Sequence, residues 1–162
     1  MALTQDIVAT YRGPRRIMRR FLSQGRNEVR GLLFLLIAGL LMFIAASPYQ
    51  AREAQLDPDV PLVARLYWTA FLTIFILPIF VYLFAAAVWV LARVANRVIS
   101  GFQIRFTLIW ALLASTPVLL LLGLTAGFAG PGPAVQILSL LWLIVFTWFW
   151  VSGLTVAEDT DT

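Results

Sequence analysis

The chain has 162 residues, 61% hydrophobic and 12% charged, with twelve Arg against eight Asp and Glu for a net charge of +4, and no Lys, His or Cys. Soluble domains carry roughly 25% charged residues, so this composition excludes an ordinary water-facing globule and points to the bilayer. Without imidazole or thiol there is no His base, no thiolate nucleophile and no ligand set for the usual zinc, haem or iron–sulfur sites.

Residues 1–30 are polar and carry seven Arg: Arg12, Arg15, Arg16, Arg19, Arg20, Arg26 and Arg30. Pro14 at a helix start, with Ile17, Met18, Phe21, Leu22 and Val29 near one face, predicts an amphipathic helix over 14–30. Arg15, Arg16, Arg19 and Arg20 fall on its other face. A basic face opposite Phe, Leu and Ile suits a helix lying on an anionic leaflet, where each Arg contributes about 1 kcal/mol of attraction. Arg15, Arg16, Arg19, Arg20 and Phe21 are thus the candidate membrane-surface residues. The alternative is that these Arg residues only set topology. A nucleic-acid role is not expected of a basic cluster tied to a span and lacking a binding motif. The long polar head also argues against a cleaved signal peptide, although Ala45-Ala46-Ser47-Pro48 mimics a cleavage site.

Four charge-free stretches follow, at about 31–46, 66–91, 106–128 and 134–156, each close to the roughly 20 apolar residues that cross a hydrocarbon core. The first is short and is expected to borrow Val29 while Arg30 snorkels. The second carries Pro78 and reads as one bent helix. The third has Pro117 at its midpoint and ends at the turn Gly130-Pro131-Gly132-Pro133. The fourth ends at an acidic tail, 157–162, with Glu158, Asp159 and Asp161. A loose contact between this tail and the Arg cluster is one expectation, a simple solvated end the other.

The loop expected over 47–65 contains Asp57-Pro58-Asp59-Val60-Pro61. Two carboxylates could hold a hard cation with further oxygens, but Asp57 as N-cap and Pro58 at the first helical position is the simpler account; no metal or cofactor is expected. Ten Arg fall on the side of the N-terminus and the 92–105 connection and two, Arg52 and Arg65, on the other. The positive-inside rule then puts both termini in the cytoplasm. Tyr67, Trp68, Trp89, Trp148 and Trp150 fall near the expected interfaces.

Pro78 and Pro117 each remove a backbone donor and free carbonyls near mid-membrane. One reading is a broken-helix solute path with Ser115 and Thr116 as ligands; the other is a pair of structural kinks. The second is favoured because no span contains the ionisable residue that such paths use. Gly123 with Gly127, and Ala111 with Ser115, are small-residue steps that allow close helix packing, within the monomer or between copies.

The run Ile99-Ser100-Gly101-Phe102, followed by an apolar helix with Ala114-Ser115-Thr116-Pro117, resembles the Yip1 domain family. In that family a Gly-small-Phe loop precedes a membrane helix with a mid-span Pro, and Tyr11-Arg12-Gly13-Pro14 before a basic stretch is similar to bacterial members. Eukaryotic members have a longer acidic and aromatic N-terminus and usually five spans, so their association with small GTPases is not carried over. The resemblance implies a membrane-organising or trafficking-related protein.

The sequence therefore predicts an all-α polytopic transmembrane bundle of the bacterial inner membrane: an Arg-rich segment 1–30 with an interfacial helix, a four-span domain 31–156, and a cytoplasmic tail. The expected function is non-enzymatic organisation or scaffolding of membrane components. Its partners are the anionic cytoplasmic leaflet and another membrane protein or a second copy. A small permease using Pro78 and Pro117 is the alternative.

Overall fold

The computed structural model describes residues 3–97 and 99–161, without the side chains of 160 and 161. Residues 1–2 of the N-terminal segment and 162 of the tail therefore lie outside the described residues. The order is α1 (Leu3–Arg12), α2 (Pro14–Ser23), α3 (Glu28–Leu56), α4 (Leu62–Phe71), a π-helical turn (Leu72–Ile76), α5 (Leu77–Val94), α6 (Gly101–Ala114), α7 (Thr116–Ala129) and α8 (Pro133–Asp161). Among the described residues every regular element is helical.

The predicted helix over 14–30 is broken, because α2 stops at Ser23 and Gly25 takes φ +80°. That left-handed backbone is open to glycine and turns the chain before Asn27 caps α3, its side chain accepting from the Arg30 N–H at 3.0 Å. Residues 3–12, not predicted as a helix, form α1. The first span is also longer than 31–46. Helix α3 carries Pro48 inside it and continues to Leu56, so the expected 47–65 loop shrinks to a turn at residues 57–61. Asp57 is not the N-cap of a helix opened by Pro58. It closes α3, its N–H donating to the Glu53 carbonyl at 2.9 Å, and its carboxylate pairs with Arg65 at 2.6 Å; α4 starts after Pro61.

The α5–α6 connection is a local necessity of its sequence. Asn96 takes φ 54°, a conformation that Asn tolerates better than most residues. Its N–H and that of Arg97 then reach back to the Arg93 and Ala92 carbonyls at 3.1 and 2.9 Å, a Schellman closure. Ser100 and Gln103 form a reciprocal capping box that starts α6. The helical tail of α8 carries Glu158 to Arg97 at 2.6 Å, so residues 157–161 extend the helix instead of trailing free.

Helices α3, α4–α5 and α8 are each long and apolar enough to cross a membrane, and the α6–α7 pair, bent by 45°, makes a fourth span when taken as one. These are the marks of a multi-pass membrane protein. Helix α6 is the hub: nearly every residue from Gln103 to Ala114 is buried, against α3, α5 and α8. Apolar burial cannot drive this packing from lipid, where van der Waals fit between helices takes over.

Candidate functional site

The break in the third span is built so that its own side chains complete it. Pro117 cannot donate to the Leu113 carbonyl; the Thr116 hydroxyl donates to it instead, at 2.7 Å. The Ser115 hydroxyl donates to the Leu112 carbonyl at 3.0 Å and accepts the Trp142 Nε1–H of α8 at 3.1 Å. Ser115 and Thr116 are buried, so both expected ligand hydroxyls are already engaged. In the second span, Pro78 follows the π-helical turn, in which the Leu77 N–H reaches the Leu72 carbonyl. The wider turn absorbs the residue that the proline ring would otherwise force against the preceding turn.

The small residues lie where backbones meet. A β-carbon at Gly123 would come within 2.6 Å of the Ala45 carbonyl carbon, and one at Gly127 within 2.5 Å of the Pro48 Cβ. Helix α7 therefore rests on the α3 backbone, and this packing lies within one chain. Ala111 is buried in the α6 hub. A third contact, which the sequence reading missed, sets Gly39 of α3 within 2.6 Å, by the same measure, of the Thr73 carbonyl in the π-helical turn.

The Arg-rich segment is more deeply inlaid than expected. Ile17, Met18 and Phe21 are buried in the protein, which corrects the placement of Phe21 as a membrane-surface residue. Its ring meets Trp110 at 4.6 Å, Phe106 at 5.8 Å and Phe34 at 5.9 Å. Trp110 stands about 14 Å along α6 from Gly101 at 1.5 Å per residue, so the α1–α2 hairpin lies beside the bundle end and not above it. Met18 reaches Gly153 of α8, and Tyr11 stands edge-on to Phe149 at 4.9 Å. Burial pushes the Tyr11 phenol above its ordinary pKa. Arg20 crosses the hairpin to Asp6 at 2.5 Å, while Arg15, Arg16 and Arg19 face outward.

Arg26, Glu28 and Arg105, which the sequence reading did not single out as a group, meet at the same end of the bundle. One Glu28 oxygen accepts from Arg26 Nε at 3.2 Å and from Arg105 at 2.7 Å. The partners are 77 residues apart, so no local spacing announces them; the only signal is an acidic residue opening α3 among many Arg.

The fold thus defines a multi-pass helical membrane protein with a basic, aromatic-lined end. Comparison with protein-family models, with curated proteins and with solved structures returns no match.

Proposed function

We propose that this is a non-enzymatic protein of the bacterial inner membrane, both termini cytoplasmic, that organises or assembles other components in the bilayer. The observation that carries the reading is how little of two spans the chain itself covers. Only 11% of the most apolar stretch of Leu62–Val94 and 17% of that of Pro133–Asp159 is buried. Phe75, Phe80 and Leu83 stand exposed along the second span, whereas Ser115, Thr116 and Trp142 satisfy one another or their own helices. The surfaces, more than any internal cavity, are left to act. The resemblance to the Yip1 domain family agrees with an organising role, and the outward Arg15, Arg16 and Arg19 suit an α1–α2 hairpin seated at headgroup depth. The permease reading needs solute ligands at the proline breaks, where the hydroxyls are already engaged.

Purification from native membranes in mild detergent, with cross-linking, tests this. A stoichiometric partner or second copy is expected to be retained and to be lost from the Phe75→Ala/Phe80→Ala/Leu83→Ala variant. A strictly monomeric, partner-free particle would overturn the reading.

A further inference from the structure

We infer that the cleft between α5, the start of α6 and the α2–α3 turn binds the phosphodiester of an anionic phospholipid from the leaflet on the Arg-rich side. The cleft has a volume of about 410 Å³ and is lined by Arg26 and Arg105 together with Tyr82, Trp89, Gly101 and Phe102, with no carboxylate lining it among the described residues.

Its charge is unbalanced by construction. Two guanidiniums share one carboxylate oxygen, that of Glu28, which leaves one positive charge in excess at the cleft. Arg105 has 28% of its side chain exposed, and its Nε is buried with no partner among the described residues. A guanidinium presents several donors in a planar fork suited to phosphate oxygens, and Glu28 uses only part of that capacity. Aromatic faces hold both forks in place: Arg26 lies over Phe102 and Arg105 over Tyr82, each at 5.8 Å. The α6 N-terminus adds little, because its capping box is already closed on Ser100 and Gln103.

Position selects a lipid over a free anion. Glu28 opens α3 just before its apolar run, and Arg105 is the last charge before that of α6, so the forks stand at headgroup depth. Tyr82, Ala85 and Ala86 of α5 continue the wall toward the hydrocarbon, an apolar side on which an acyl chain can lie. Free phosphate would use the forks alone; a phospholipid uses both parts of the cleft.

Native mass spectrometry of the full chain in non-ionic detergent, with phosphatidylglycerol or phosphatidylcholine added, tests the inference. Wild type is expected to retain one phosphatidylglycerol in clear preference to phosphatidylcholine. Arg26→Gln/Arg105→Gln should weaken that retention by about tenfold or more, given roughly 1 kcal/mol per interfacial Arg, while Arg15→Gln/Arg16→Gln keeps the tightly held lipid. Should the double variant fail to fold, Glu28→Gln decides. Freeing both guanidiniums should raise retention, whereas a merely structural bridge would give a less stable protein with retention unchanged or lower. Equal retention of the two lipids, or no gain in Glu28→Gln, overturns the inference. Displacement of the lipid by millimolar inorganic phosphate would overturn the lipid assignment in favour of a free-anion site. None of these outcomes depends on whether a protein partner is found.

Discussion

Tyr11 holds its hydroxyl buried, with no partner for it among the described residues, while its ring packs on Phe149. Burial disfavours the phenolate, so the folded-state pKa is raised. The unfolded phenol ionises near its ordinary value of about pH 10, and above that pH the unfolded chain has released a proton that the folded chain keeps. The stability associated with the neutral phenol is therefore full below about pH 10 and is lost as pH rises through the folded-state value. Tyr11→Phe removes this loss. With no Lys or Cys in the chain, few other side chains titrate there to mask it. Thermal unfolding in detergent from pH 8 to 11 should show the wild type falling more steeply than the variant. At pH 8 the variant should be equal or more stable by up to about 1 kcal/mol, since an unpaired buried hydroxyl is removed. A variant as alkali-sensitive as wild type would remove Tyr11 from the account.

Contact between elements depends on missing side chains more than on large ones. Gly123 is the sharpest case, because any β-carbon there runs into the Ala45 carbonyl and the obstacle is backbone that cannot rotate away. Gly123→Leu must lift α7 from α3, and overpacking of this kind costs about 1–3 kcal/mol or more. Gly132→Ala is the control, since a β-carbon there meets nothing within 4 Å. Melting in detergent should fall clearly for the first and stay put for the second; equal stability of both would mean that α7 does not rest on α3 as described. The Gly123–Gly127 step was legible in the sequence, but its partner surface at Ala45 and Pro48 was not, because nothing in a small-residue spacing says which helix it meets. The four apolar runs were equally plain. Their ends were not: Pro48 reads as a terminator, yet α3 continues through the helix-compatible run from Tyr49 to Leu56. The apolar spacing of Phe21, Leu22 and Val29 favours an unbroken helix, but the left-handed backbone of Gly25 ends it. The Arg26–Glu28–Arg105 cluster is assembled only by the third span returning to the start of the first, information carried by topology and not by local pattern.

On the scale of the whole molecule, charge is sorted by end. The α2–α3 turn, the α5–α6 connection and the end of α8 share one end, tied by Arg105 to Glu28 and by Arg97 to Glu158. The turn at residues 57–61 lies at the other with Gly130, against which the Arg52 guanidinium packs. With ten Arg on the first side and two on the second, the proposed topology has the first facing the cytoplasm, as the positive-inside bias favours. The absence of cysteine makes this directly testable, because any thiol introduced is the only one. Asp59→Cys and Gly132→Cys should react with a membrane-impermeant maleimide in spheroplasts, and Ser23→Cys and Asp159→Cys only after the membrane is opened. The reverse pattern would invert the topology and place the Arg-lined cleft in the outer leaflet. Opposite behaviour of Asp59→Cys and Gly132→Cys would mean something more specific: the α6–α7 pair, bent at Ser115, would enter and leave on the same side. The donation of the Thr116 hydroxyl to the Leu113 carbonyl, and of the Ser115 hydroxyl to the Leu112 carbonyl, argues against that outcome, because both bonds repair a helix that continues through its bend.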